Sequence, residues 1–130
     1  MENNKKTFII AEIGNNHEGN FEVAKNMLIA AAKSGVDAVK FQTFIAERFV
    51  GISNPDRYKQ IKSYELSQIQ FIELKNIAND NGVEFLSTPL DLESAEFLNS
   101  FVSKFKISSS DNTFFPLIDL ICSFNKPIIL

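Results

Sequence analysis

Asp37-Ala38-Val39-Lys40-Phe41-Gln42-Thr43 decides the fold. It is short and mostly apolar, carries Lys40 and Gln42 at alternating positions, and ends on a hydroxyl. Such a run suits a buried parallel strand. Four other stretches share the plan. Phe8-Ile9-Ile10-Ala11 leads into Glu12 and then Asn15-Asn16-His17. Val83-Glu84-Phe85-Leu86 leads into Ser87-Thr88-Pro89, and Phe105-Lys106-Ile107 into Ser108-Ser109-Ser110-Asp111. Pro127-Ile128-Ile129-Leu130 is the last of them. A parallel barrel gathers the carboxyl ends of its strands into one mouth, where ligands bind. Polar residues far apart in sequence would then share one site.

Helical patterns fill the gaps between the expected strands at 7–13, 38–43, 83–87, 105–107 and 126–130. Asn20 is placed to cap a helix through about Ser34, with Val23, Met27, Ala30 and Ala31 on one face and Gly35 as its stop. Ser67 and Gln70 have capping-box spacing and open a helix to Asn81, with Ile69, Ile72, Leu74 and Ile77 as its apolar side. Asp91 can cap a short helix carrying Leu92, Ala95 and Leu98. Pro116 suits the first turn of a further helix striped by Leu117, Leu120, Ile121 and Phe124. Residues 44–66 hold Gly51, Asn54-Pro55 and several charges, and read as an irregular excursion.

This alternation argues for a parallel sheet built from crossovers. A Rossmann-type sheet has the same order, but no Gly-x-Gly-x-x-Gly follows a strand. A complete barrel needs eight units and about 250 residues. The 130 residues hold four units and a fifth strand. The expected fold is therefore α/β: a β/α (TIM) barrel present as its amino-terminal half, with residues 1–130 forming one unit.

Hydrophobic residues make up 45% of the chain, which argues against disorder. A net charge of -3 makes nucleic acid and anionic membranes poor partners. No apolar stretch is long enough to span a bilayer, and the polar start from Met1 to Lys6 does not resemble an export signal. A cytoplasmic location is expected. The single cysteine, Cys122, can form no internal disulfide and no multi-cysteine zinc site, and is expected to be buried and inert.

Lys40 and Lys106 lie inside strand patterns, where a lysine is costly unless something anionic pairs with it. Two such lysines in one mouth would suit a ligand carrying phosphate and carboxylate; otherwise both snorkel outward between helices. Thr88, Ser108, Ser109 and Ser110 offer hydroxyls for phosphate oxygens, or for turns. Glu12 and Asp111 stand at strand ends as an acid/base, as metal partners, or as ion-pair partners of the lysines. Gln42 points to the same side as Lys40. His17 is the only histidine, so a histidine-rich metal site would need ligands from elsewhere.

Ala11-Glu12-Ile13-Gly14-Asn15-Asn16-His17, Asp37 to Thr43, Phe85 to Pro89 and Phe105 to Ser109 together resemble the N-acetylneuraminate synthase family. That family includes sialic, legionaminic and pseudaminic acid synthases. The resemblance implies a β/α barrel followed by a small antifreeze-like domain in a swapped homodimer; the second half of the barrel and that domain are absent from these 130 residues. It implies condensation of phosphoenolpyruvate with an N-acetylated amino sugar, such as N-acetylmannosamine, to a nine-carbon 2-keto acid and phosphate. A divalent metal, manganese or magnesium, is implied to polarise the sugar aldehyde, with its main ligands outside this chain. By similarity, Lys40, Thr88, Lys106 and Ser109 match phosphoenolpyruvate-binding positions, Gln42 and Asp111 contact the amino sugar, and Glu12 lies near the reacting carbons. Glu12, Lys40 and Lys106 are the catalytic candidates. Ser110 departs from the family pattern, which has glycine there. The alternative is a non-catalytic fragment, or an anion-binding half-barrel that needs a partner.

Overall fold

Strand and helix alternate along the chain: β1 (Ile10–Gly14), α1 (Phe21–Lys33), β2 (Ala38–Thr43), α2 (Ala46–Phe49), α3 (Pro55–Tyr64), α4 (Gln68–Asp80), β3 (Glu84–Pro89), α5 (Leu92–Asn99), β4 (Phe105–Lys106), α6 (Phe115–Ser123) and β5 (Ile128–Ile129). This computed structural model describes residues 6–51 and 53–130. The start from Met1 to Lys5, read above as no export signal, lies outside the described residues. Among the described residues no helix is long and apolar enough to cross a membrane.

Every strand pairing is parallel. β1, β2 and β3 form one sheet in that order, and β4 pairs with β5. β4 runs beside β3, so the strands follow sequence order around an open, partial barrel. The register sets Glu12 beside Lys40, Lys40 beside Leu86, and Gln42 beside Thr88. Side chains alternate across a strand. Ile13, Val39, Phe41, Phe85, Phe105 and Ile107 therefore share one face, and they pack into the main core with α1, α4, α5 and α6. Glu12, Lys40, Gln42, Leu86, Thr88 and Lys106 occupy the other face.

Phenylalanine dominates the covered side. Phe41 stacks on Phe85 at 5.7 Å between ring centroids, Phe85 meets Phe101 at 6.0 Å, and Phe101 meets Phe97 edge-on at 5.0 Å. Each fully buried ring of this kind stabilises the fold by about 1.5–3 kcal/mol. The expected caps are present: Asn20 and Asp91 accept the N–H groups of Val23 and Ser94, and Ser67 with Gln70 closes a capping box. Lys126 Nζ donates to the carbonyls of Asn99 and Val102, at the C-terminus of α5.

Several expectations are corrected. β1 begins at Ile10 rather than Thr7, because its partner β2 begins at Ala38; Phe8 and Ile9 are left about half-exposed. In α1 the buried face is Ala24 and Leu28, one residue along from the expected stripe, and Val23 is exposed. In α4 Phe71, Leu74 and Ala78 are buried, whereas Ile69 is 77% exposed and Ile72 is exposed too. At 100° per residue, Ile69 lies roughly 160° around the helix from Phe71. Cys122 is exposed, because α6 buries Leu117 and Ile121 and turns the next position outward.

Residues 44–66 are not irregular. They hold α2 and α3, with Asn54 accepting the Arg57 N–H and Pro55 in the first turn. Phe44, Ala46, Val50, Ile61 and Leu90 make a second small core beneath them. Tyr58 hydroxyl donates to Glu47 at 2.7 Å, and Ala46 N–H donates to Glu65 at 2.9 Å, clasping the two helices together.

The loop after β1 is fitted against this excursion at Gly19. Its φ is +78°, and a Cβ there would lie 1.9 Å from the carbonyl oxygen of Ser63 in α3. Gly35 also has positive φ, but a Cβ on it would meet nothing within 4 Å. Gly35→Ala is therefore expected to cost only the left-handed strain, about 1–2 kcal/mol. Gly19→Ala adds a backbone clash and should exceed about 3 kcal/mol. Denaturant unfolding of both variants measures the difference.

Candidate active site at the mouth of the open barrel

The candidate site residues of the strands lie on this second face. Lys40 is 12% exposed and forms an ion pair with Glu12 from the neighbouring strand. Its Nζ also donates to Thr88 Oγ1 at 3.3 Å, so three strands meet at one ammonium. The loss of hydration on burying a cation is large unless an anion and further acceptors replace the water. Glu12 and Thr88 do so here.

Gly14 opens the space above this group. Its φ is +59°, and a Cβ on it would lie 3.3 Å from Glu12 Oε1, 3.7 Å from Gln42 Nε2 and 4.0 Å from Asn16 Nδ2. Gly14 and Asn16 were not singled out from the sequence as site residues. Their signal was the glycine at the end of an apolar run followed by two amides. Asn16 is aimed by its own bond from Nδ2 to the carbonyl of Ile13, at 2.9 Å.

Lys106 faces the same side from β4. Its Nζ donates to the carbonyl of Ile107 at 2.8 Å, and among the described residues it has no carboxylate partner. The Ser109–Asp111 turn follows in a single 3-10 turn. Among the described non-glycine residues only Glu18 and Asn125 have positive φ, so Ser110 fits that turn without backbone strain. Ser110 N–H donates to Ser108 Oγ, and the two hydroxyls are 2.8 Å apart. Ser109 is exposed at the turn's start. Hydrogen bonds thus gather Glu12, Lys40 and Thr88 into one cluster, with Gln42 beside it, while Lys106, Ser109 and Asp111 form a second group on the next strand.

Among the described residues two buried polar atoms are left without hydrogen-bond partners: Asp111 Oδ2 and His17 Nε2. Burial pushes the Asp111 carboxyl up from its ordinary value, opposed by the Ser110 hydroxyl. His17 is 2% exposed, its Nδ1 accepts the Gly19 N–H at 3.0 Å, and burial lowers its pKa. With Nδ1 an acceptor, the proton of the neutral ring sits on Nε2. The ring lies 6.1 Å from that of Phe41, on the covered side of the sheet.

The metal named above does not find its ligands among the described residues. They contain no cluster of three or more His, Cys, Asp or Glu side chains able to hold an ion. The one imidazole is committed to Gly19.

Residues 27–130 match the NeuB family. The chain belongs to the NeuB family. It is 45% identical over 125 residues to an uncharacterised protein of Methanocaldococcus jannaschii, covering 95% of this chain and 37% of that one. It is 38% identical to the N,N'-diacetyllegionaminic acid synthase of Legionella pneumophila, covering 95% of this chain and 38% of the relative. In structure it superposes with a TM-score of 0.93 and 30% identity on the N-acetylneuraminic acid synthetase of Leptospira borgpetersenii, solved with citrate, covering 98% of this chain and 45% of that one. The chain thus spans less than half the length of each of these proteins.

The raised Asp111 pKa has a consequence for stability. Between the unfolded and folded pKa values the native state holds the extra proton, so stability falls as pH rises through the folded value. Asp111→Asn is expected to flatten that slope and to make the chain more stable at pH 7 than wild type. Urea unfolding of both proteins between pH 4 and pH 7 measures it; a wild type as stable as the variant at pH 7 would contradict the assignment.

Proposed function

We propose that this chain is the amino-terminal part of a phosphoenolpyruvate-dependent sugar acid synthase. The observation that carries the reading is the pair of lysines, Lys40 on β2 and Lys106 on β4, on the same face of strands that flank β3, the second without a carboxylate partner among the described residues. A ligand with both phosphate and carboxylate supplies the missing negative charge. Thr88 and Ser109 add hydroxyls for its oxygens. The acceptor is an N-acetylated amino sugar in open-chain aldehyde form, held by Gln42 and Asp111. The product is a nine-carbon 2-keto sugar acid, and the setting is the cytoplasm.

The chemistry follows from where charge develops. Carbon 3 of phosphoenolpyruvate bonds to the aldehyde carbon, and the aldehyde oxygen takes up a proton. Carbon 2 becomes an oxocarbenium centre. Water adds there, losing a proton, and the bond from carbon 2 to the phosphate oxygen then breaks. Two fixed ammonium groups stabilise the departing phosphate without reorganising. Glu12, tied to Lys40 in the ligand-free chain, is released when the ligand takes over the ammonium. It then stands as the base for the water. A divalent cation is part of the reading, with ligands beyond these residues, and no step here is drawn through it.

Sheet edges support a companion reading. β1 and β5 each pair on one side only, so the chain by itself is a half-barrel that binds the anion and needs a partner for turnover. Both readings put phosphoenolpyruvate on the two lysines. Lys40→Met and Lys106→Met are each expected to weaken its binding by roughly 10- to 100-fold, the value of a charge-assisted hydrogen bond. Calorimetric titration of the chain measures it. Wild-type affinity in both variants would sink the site.

A further inference from the structure

β1 is irregular directly after Glu12. Glu12 lies beside Lys40 and Gly14 beside Phe41, so Ile13 and Gly14 together face a single step of β2. Such a bulge bends its strand and re-aims the side chain next to it. The Glu12 carboxylate rests over it: a Cβ on Gly14 would lie 3.3 Å from Glu12 Oε1. Lys40 holds the same carboxylate from the neighbouring strand. The place of Glu12 thus depends on how the bulge is held.

The loop that follows holds it. The Ile13 carbonyl accepts both the N–H of Asn16, at 3.2 Å, and its Nδ2, at 2.9 Å. Glu18 N–H returns to the carbonyl of Asn15, and Asn20 N–H to that of His17. Gly14, Glu18 and Gly19 all have positive φ, and Glu18 lacks a glycine's freedom. A backbone of this kind persists only where its surroundings over-determine it. Among the described residues no side chain from Asn15 to Glu18 hydrogen-bonds outside residues 13–19. Burial is what anchors the loop, and His17 supplies it. Its ring is 2% exposed and lies against Phe41 on the covered side of the sheet, while Nδ1 accepts the Gly19 N–H. The turn so formed lies against Ser63 of α3.

We propose that His17 is a positioning residue for Glu12: its buried ring and its Nδ1 lock the Gly19 turn, the turn locks the bulge at Ile13, and the bulge keeps the Glu12 carboxylate on Lys40. The inference rests on the reading of Glu12 as the base given above. It gives the histidine no contact with substrate or metal. It also accounts for the residue type. A neutral imidazole combines a ring that packs on phenylalanine with an acceptor at the δ position, which no apolar side chain offers.

The test compares His17→Asn, His17→Gln and His17→Phe. Asparagine places an oxygen where Nδ1 stood, the acceptor of glutamine lies one bond further out, and phenylalanine keeps only the ring. Three quantities are read on the isotopically labelled chain: exchange of the Gly19 amide hydrogen, the carboxyl carbon signal of Glu12, and the calorimetric affinity for phosphoenolpyruvate. In His17→Phe and His17→Gln the Gly19 amide is expected to exchange about tenfold faster, the value of one hydrogen bond, and the Glu12 signal to move. Phosphoenolpyruvate should bind these two variants about threefold more tightly, because it competes less with a carboxylate held on Lys40. His17→Asn should keep all three quantities at their wild-type values. A loop that only stabilised the fold would weaken binding or leave it unchanged. A Glu12 signal that stays in place while the Gly19 amide exchanges faster overturns the positioning role. So does weaker binding in His17→Phe, or a glutamine variant equal to the asparagine one. If His17→Phe does not fold, the contrast between asparagine and glutamine decides. Failure of the wild type to bind phosphoenolpyruvate overturns the proposed function instead, and the Gly19 and Glu12 signals still decide what His17 holds.

Discussion

The ammonium of Lys40 constrains everything around it. It sits on a strand whose other face is sealed against helices by Val39 and Phe41, so it cannot swing to the outside. A buried cation must be surrounded by acceptors, and these come from both neighbouring strands. That requirement holds only while β1, β2 and β3 keep their register. Slipping one strand by a single residue would turn Lys40 into the phenylalanine layer and an aromatic ring into the mouth. The apolar layer thus does more than stabilise: it fixes which residues face the site.

Cost and function lie close together on that face. Asp111 carries an oxygen with no partner and a carboxyl that burial pushes toward its neutral form. Nothing in folding requires this, since an amide at the same place would avoid the charge. Residues that lower stability yet occupy a mouth are usually retained for what they bind. His17 carries the other orphaned atom but differs in kind. Its ring lies on the covered side, and its one bond organises the Gly19 turn that seats the loop on α3. The histidine is a brace for the loop that presents Gly14 and Asn16.

The strand ends were legible because their signal is local and doubled: an apolar run gives the strand, and the polar residues after it give the mouth. The sequence groups Lys40, Thr88 and Glu12 because a parallel barrel brings carboxyl ends together. Helix faces were harder to read. In α4 three isoleucines compete with the three residues that are buried, and the true face is set by Phe71, Leu74 and Ala78 meeting α1 and β3. Residues 44–66 were misread because Asn54-Pro55 marks a turn and a helix start equally well, and Tyr58, Ile61 and Tyr64 are sparse among charges. Gly14 and Asn16 were missed because their role depends on side chains brought from β2.

The distribution of roles follows strand geometry. Residues within the strands are fixed by register, as Lys40 is beside Glu12 and Leu86. Residues in the segments beyond the strand ends are held by side-chain bonds alone, as Asp91 holds Ile45 and α5. Those segments tolerate exchange without disturbing the sheet. Strand residues fixed by register and segment residues fixed by side-chain bonds need no coupling except the chain that joins them. The turn from Asp111 to Phe114, closed by one backbone bond, is where the two meet.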